Sequence, residues 1–254
     1  MVRAAILIDG GYLLKRLPAV RSDVNASDAS AVAQTVNQLV RSHLTQLDEV
    51  HKVPNIYQLL YRTFYYDARP YTGKEHTPVG KRSIDYSRTP QALFRKSLFK
   101  ALHGQPNLAV RLGEVRRNPN RFWLLHERPQ KDLLNGRIAV GDLTDGDFAP
   151  ALRQKGVDMR IGLDIASITL KRQADVIVLV SGDADFVPAA KLARREGVKF
   201  ILDPLWQDIP PDLFEHIDGL RSGFSKPKND RARQVQTPSA VDRDSGDNQA
   251  PVRR

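Results

Sequence analysis

The stretch Asp175-Val176-Ile177-Val178-Leu179-Val180-Ser181-Gly182-Asp183-Ala184-Asp185-Phe186 decides the fold. Val176–Val180 is an unbroken apolar run. Such a run suits a strand covered on both faces rather than one that alternates between core and water. Small and acidic residues follow it. Phe186–Glu196 then reads as a helix ending at Gly197, and Val198–Leu202 is a second apolar strand. Strand, helix and strand of these lengths imply a right-handed crossover and a parallel sheet. The expected class is α/β.

Upstream, Ile161–Leu170 reads as the preceding helix. At the start of the chain Val2–Ile8 forms another apolar strand, ending in Asp9-Gly10-Gly11. In an open parallel sheet the carboxyl ends of the strands share one edge, and ligands bind in the crevice there. Asp9 and Asp183 are therefore expected to meet in space. Lys155-Gly156-Val157-Asp158 and Asp164 lie between them in sequence and add two more acids. Several carboxylates at one edge resist joint ionisation without a cation, so a divalent metal is the natural counter-ion. Oxygen-only donors suit Mg²⁺ or Mn²⁺. Each acid has a plainer reading. Asp9 fits an Asp-Gly turn, and Asp183 or Asp185 fits a helix cap. The recurrence of the pattern at two strand ends favours ligands.

Residues 28–47 carry an apolar stripe at helical spacing, with Ser27 or Asp28 as cap. Residues 56–66 read as a strand rich in aromatic and branched side chains. A long polar loop is expected over 67–89 and a basic helix over 90–102. Leu108–Val115 and Phe122–His126 read as a hairpin around Asn118-Pro119-Asn120. Residues 127–150 are irregular, and a short helix is expected near 212–217. From about Ser225 large apolar residues are scarce, so the end of the chain is expected to be disordered.

The 254-residue chain carries a net charge of +10. Its last segment, 223–254, holds seven basic and four acidic residues, so the remainder is basic too. A basic surface around an acidic edge attracts polyanions, nucleic acid above all. The residues expected to meet it are Arg62, Arg69, Arg95, Lys96 and Lys155, with Lys81, Arg82, Arg88, Lys100, Arg116, Arg117 and Arg121 around them. Tyr65, Tyr66, Tyr71, Phe94 and Trp123 are candidates to stack on unpaired bases. Cysteine is absent, which excludes disulfides, thiolate zinc sites and cysteine nucleophiles. The histidines show no paired helical spacing, so no zinc site is indicated. Asp142, Asp145 and Asp147 lack the glutamate that would complete a calcium loop. No apolar run approaches a membrane span. A soluble, cytoplasmic protein without a membrane partner is expected, and homo-oligomerisation is left open.

Three blocks carry a family resemblance. They are Ile6-Leu7-Ile8-Asp9-Gly10-Gly11-Tyr12-Leu13, the run from Lys155 to Asp164, and the run from Asp175 through Pro188 to Arg195-Glu196-Gly197-Val198. Together they resemble NYN domains of the LabA-like kind, within the PIN-like nuclease superfamily. The resemblance implies a Rossmann-like three-layer fold over 1–222, with a family-variable insertion at about 70–150 and a disordered basic tail over 223–254. It implies a metal-dependent endoribonuclease. Asp9, Asp164, Asp183 and Asp185 match its metal-site acids, and Asp158 matches the acid of the Lys-Gly-Val-Asp block. Asp9 and Asp183 are the foremost ligands. Asp164 would ligate directly or through water, Asp185 through water, and Asp158 would bind metal or orient the Lys155 region. RNA is the implied substrate, with DNA as the alternative and an inactive RNA-binding module as the rival reading. Many NYN domains have Asn three residues after the first Asp, where this chain has Tyr12.

Overall fold

The computed structural model describes residues 2–227. The tail beyond Pro227 lies outside them. Strand β1 (Ala4–Asp9) leads directly into helix α1 (Gly10–Val20) and then α2 (Ala29–His51). Each helix begins at an aspartate. The Tyr12 N–H donates to Asp9 Oδ1 at 3.0 Å, and the Ser30 and Ala31 amides donate to Asp28. Such caps satisfy amides that the first helical turn leaves unpaired. Strand β2 (Leu60–Arg69) and two short strands, β3 (Lys74–His76) and β4 (Ser83–Asp85), follow. Helix α3 (Pro90–His103), β5 (Leu108–Arg117), β6 (Trp123–Leu125) and α4 (Glu127–Leu134) come next. The chain continues through β7 (Phe148–Pro150), β8 (Leu152–Lys155), α5 (Val157–Leu170), β9 (Val176–Val180) and α6 (Val187–Arg195). It closes with β10 (Lys199–Asp203), α7 (Pro211–Phe214) and β11 (Gly219–Leu220).

Seven strands form one sheet in the order β11-β10-β9-β1-β2-β5-β8. Every pairing is parallel except β5 with β8. The apolar runs of β1 and β9 occupy its centre because both of their faces are covered. Ala4, Ile6 and Ile8 pack with α1, α2 and α3 through Leu13, Leu17, Leu39, Leu44, Leu98 and Leu102. Ala5 and Leu7 pack on the opposite face with Ile161, Ile165, Ala190 and Ala193 of α5 and α6. The α/β class and the three-layer arrangement read from the sequence are the observed ones. Each fully buried Val, Ile or Leu contributes roughly 1.5–3 kcal/mol, so this double-sided core is the main source of stability.

The expected hairpin over 108–126 does not form. β5 instead joins β2 in parallel, and β6 pairs with β7. Leu108, Val110 and Leu112 explain the choice, since in the sheet they pack on the α1–α3 layer. That burial outweighs the local turn signal of Asn118-Pro119-Asn120. The residues 67–89 contain the β3–β4 hairpin, and 127–150 contain α4 and β7. Strand β8 had no sequence signal because Arg153, Gln154 and Lys155 are exposed at the sheet edge. Polar side chains are how edge strands avoid further pairing. Within 70–150, α3 and β5 belong to the central layers, whereas β3, β4, β6 and β7 lie outside the central sheet.

One glycine fixes how β5 meets the turn from β8 into α5. A Cβ on Gly113 would stand 2.4 Å from the Lys155 carbonyl oxygen and 2.9 Å from Val157 Cγ2. Backbone must move to admit it. Gly113→Ala is expected to lower stability by about 1–3 kcal/mol, read as a drop of roughly 2–12 °C in a thermal melt. An unchanged melting temperature would show that the turn before Asp158 yields freely.

Candidate active site at the carboxyl edge

The carboxyl ends of β1, β2, β9 and β10 share one edge. Asp9 is level with Tyr66 on one side, while Ile8 and Asp203 are both level with Val180 on the other. Asp9 and Asp183 arrive there from strands far apart in sequence. Both are also caps, which the plainer reading held for Asp183, whereas for Asp9 it gave an Asp-Gly turn. Asp9 Oδ1 accepts the Tyr12 amide, and Asp183 Oδ1 accepts the Asp185 amide at 3.0 Å. Each cap engages one carboxylate oxygen, so capping and cation ligation are compatible. Asp185 follows in a single 3-10 turn over Ala184–Phe186, and Asp183 and Asp185 are both exposed.

Helix α5 delivers Asp158. Gly156 adopts a left-handed φ of 76° and turns the chain sharply out of β8, a conformation that glycine takes at no steric cost. Asp158 then falls in the first helical turn. Its carboxyl is pushed up by partial burial and then by the charges of Asp183 and Asp185. Asp9 is pushed up to about 6. Burial is the main cause, and the charges of Asp158 and Asp67 add to it against the Tyr12 and Gly11 amides. Asp158 thus feels the charge of both acids of the β9 loop, and its own charge reaches Asp9 at the end of β1.

Asp164 lies further along α5 and is engaged differently. It accepts the Tyr66 hydroxyl at 2.8 Å and pairs with Arg111 Nε at 3.4 Å. Arg111 in turn lies over the Phe64 ring, its Cζ 5.6 Å from the centroid. The Tyr66 hydroxyl is held far above its ordinary range by burial and by Asp164, so it stays a donor. Among the described residues no group of three or more His, Asp or Glu side chains is arranged to hold a metal ion. The acids form an open constellation, not a closed ligand shell.

Two further strand-end acids were not among the site residues expected from the sequence, although they carry the same signal of an apolar run ending in Asp. Asp67 at the end of β2 is fully buried and forms an ion pair with Arg95 of α3. Its Oδ1 also accepts the Ala68 amide, and its Oδ2 has no partner. Burial pushes its carboxyl up against the pull of Arg95. Asp203 at the end of β10 is also fully buried. It takes the Leu205 and Gly223 amides and lies 2.9 Å from His43 Nε2, a structural set of partners.

Tyr12 has a structural role here. Its hydroxyl donates to the Pro204 carbonyl at 2.6 Å, and a Cβ on Gly182 would lie 2.8 Å from its oxygen. The phenol therefore ties the ends of β1, β9 and β10 together, and Gly182 is what lets the β9 loop lie on it.

The basic candidates divide. Arg69 stands at the carboxyl end of β2, Lys96 on the exposed side of α3, and Lys155 where β8 turns into α5. Two must be corrected. Arg62 lies level with Ala5, near the opposite end of the strands from Asp9. Arg95 is mostly buried in its ion pair with Asp67, so its guanidinium serves the core. Of the aromatic candidates, Tyr65 and Tyr66 are buried. No described helix is long and apolar enough to cross a membrane.

Comparison with known proteins finds a likeness for part of this edge. No curated protein matches the chain. A crystal structure of a protein of unknown function from Vibrio parahaemolyticus superposes with 16% identity over 88% of this chain and 95% of that chain, at a TM-score of 0.40. Residues 131–208 match the family model of the NYN domain. The matched part takes in α5, β9, α6 and β10, and with them Asp158, Asp164, Asp183 and Asp185. That match covers less than a third of the chain, the part that builds α5 and the β9 loop, and there the chain is similar to NYN domains.

Proposed function

We propose that this protein is an endoribonuclease that hydrolyses RNA phosphodiester bonds at the carboxyl edge with a divalent cation, Mg²⁺ or Mn²⁺. The observation that carries the reading is the convergence of Asp9, at the end of β1, and Asp183, just past the end of β9, at one edge of the parallel sheet. A cation among such groups would relieve their repulsion, and an all-carboxylate set suits a hard ion. Asp9 and Asp183 would be its first ligands, with Asp158 and Asp185 at the same edge, since no three of the described acids already stand together as a ligand set. When bound, the cation would lower the pKa of a water molecule and neutralise charge on the phosphate.

The chain's own groups do the rest. Tyr66 and Arg111 fix Asp164 on the wall of α5, where it can orient a water or a ribose hydroxyl. Arg111 is about half exposed and Lys155 is exposed, so both are available to phosphates along the strand. Exposed cations of this kind make binding fall steeply with salt. The RNA substrate is supported by the NYN match and by the basic surface. A homo-oligomer is compatible with this reading.

The test is cleavage of labelled single-stranded RNA and DNA with Mg²⁺, Mn²⁺ or EDTA. RNA cleavage that requires metal is expected, with a loss of at least about 100-fold in Asp183→Asn and in Asp158→Asn. Intact RNA under every metal condition, from folded protein, would overturn the reading. RNA held equally well in EDTA but never cut would replace it with a binding module, and preferential cutting of DNA with a DNA nuclease.

A further inference from the structure

A second concavity opens beside the acidic edge, on the α3 side of the sheet. It is a groove of about 540 Å³ between the carboxyl ends of β2 and β5 and the outer face of α3. This is within the roughly 300–1,000 Å³ range of small-molecule sites. Three cations line it, Arg69, Lys96 and Lys100, together with the apolar surfaces of Tyr71, Phe99 and Leu112. Glu114 is its one acid, and Arg116 already pairs with it at 2.7 Å. Among the described residues neither Arg69 nor Lys100 has an ion-pair partner, and Lys96 reaches only the Ser87 carbonyl, at 3.4 Å. The groove therefore presents unbalanced positive charge next to an apolar wall.

Its walls are fixed in place. The Tyr71 hydroxyl donates to Glu75 at 2.7 Å, and its ring meets the edge of Tyr86 with centroids 5.4 Å apart. The His103 Nδ1 lies 2.6 Å from the Phe99 carbonyl. A carbonyl only accepts, so Nδ1 carries a hydrogen. Such a site suits a ligand with an anionic end and a flat apolar body. A nucleotide has both. An acidic peptide would use the cations but leave the aromatic wall unfilled.

The groove also adjoins the proposed site. Arg69 follows Asp67 by two residues on β2, and Glu114 pairs across the sheet with Lys155, which precedes Gly156 and Asp158. We propose that the groove seats one unpaired nucleotide of the substrate strand. Its phosphate would lie on Arg69, Lys96 and Lys100, and its base on Tyr71 and Phe99, where stacking contributes about 1–3 kcal/mol per base. That the nucleotide belongs to a substrate strand rests on the nuclease reading; the binding itself does not.

The test uses the full chain in EDTA, so that neither metal nor cleavage enters. The four ribonucleoside 5′-monophosphates, inorganic phosphate and an Asp/Glu-rich peptide are titrated by calorimetry or by NMR shift mapping. At least one nucleotide is expected to bind at least tenfold more tightly than phosphate or peptide, with shifts at Tyr71, Phe99 and His103. Lys100→Glu and, separately, Lys96→Glu should each weaken it at least tenfold. Lys191→Glu, the same charge change on exposed α6, should not. Phosphate or peptide binding as tightly as every nucleotide would overturn the proposal, as would equal effects of Lys100→Glu and Lys191→Glu. Nucleotide binding in a protein that never cuts RNA would remove only the nuclease reading. Cleavage without nucleotide binding would remove only the groove.

Discussion

Asp9→Asn is expected to stabilise the metal-free protein above pH 6 and to abolish its response to Mg²⁺ or Mn²⁺. In the folded state Asp9 keeps its proton up to about 6, against roughly 3.9 in an unfolded chain. Between those values the folded state binds more protons than the unfolded one, so stability falls as pH rises through the window. The penalty is complete above about pH 6 and amounts to at most ~3 kcal/mol. Asn carries no such penalty, and its side-chain oxygen still caps the Tyr12 amide. In EDTA at pH 8 the variant should melt higher by a few degrees, up to ~10 °C. At pH 4 the two proteins should melt together. Metal should raise the melting temperature of the wild type by mass action and leave the variant unmoved. A variant that melts lower at pH 8, or that still responds to metal, would show that Asp9 is a cap and nothing more.

Arg95→Met should have the larger cost. Asp67 is fully buried, and Arg95 is its only ion-pair partner among the described residues. Removing one partner of a buried pair leaves an uncompensated charge and costs about 3–5 kcal/mol. For a chain of this size that is a fall of roughly 6–20 °C in melting temperature. The deficit should shrink as the pH falls, because protonation of Asp67 removes the charge. Adding Asp67→Asn to Arg95→Met should recover a large part of the loss at neutral pH. Denaturant melts of the two single variants and the double variant measure this coupling directly. A double variant no more stable than Arg95→Met would place the role of Arg95 in packing.

The sequence made the centre of the fold legible because burial leaves a compositional trace. Val176–Val180 and the β1 run are apolar on both faces only because helices cover both. The same logic failed at β8, whose polar residues face water on an edge. It failed again at β5, which periodicity assigned to a local hairpin although its buried face belonged to the sheet. The acids were legible as a type but not by individual role. An apolar run ending in Asp occurs at Asp9, Asp67 and Asp203, and spacing does not distinguish an acid facing a crevice from one neutralised inside. Asp67 was missed for that reason, and Arg95 was counted among ligand-facing cations when it belongs to Asp67. Along α5 the sequence placed Asp164 ahead of Asp158. The six positions from Asp158 to Asp164 span about 9 Å of helix, enough to leave Asp158 near the acids of the strand ends while Asp164 answers Tyr66 and Arg111.

The strand order carries a consequence for synthesis. β1 lies between β2 and β9, so the first strand made waits for one of the last before its second side is paired. At ribosomal rates of about 5–20 residues per second, Asp9 precedes Asp183 by roughly 10–35 s. During that interval the nascent chain holds an unpaired apolar edge of the kind that invites aggregation, so a chaperone would find its client here. By the same delay the acidic edge cannot assemble on a half-made chain, because Asp183 arrives only after β9.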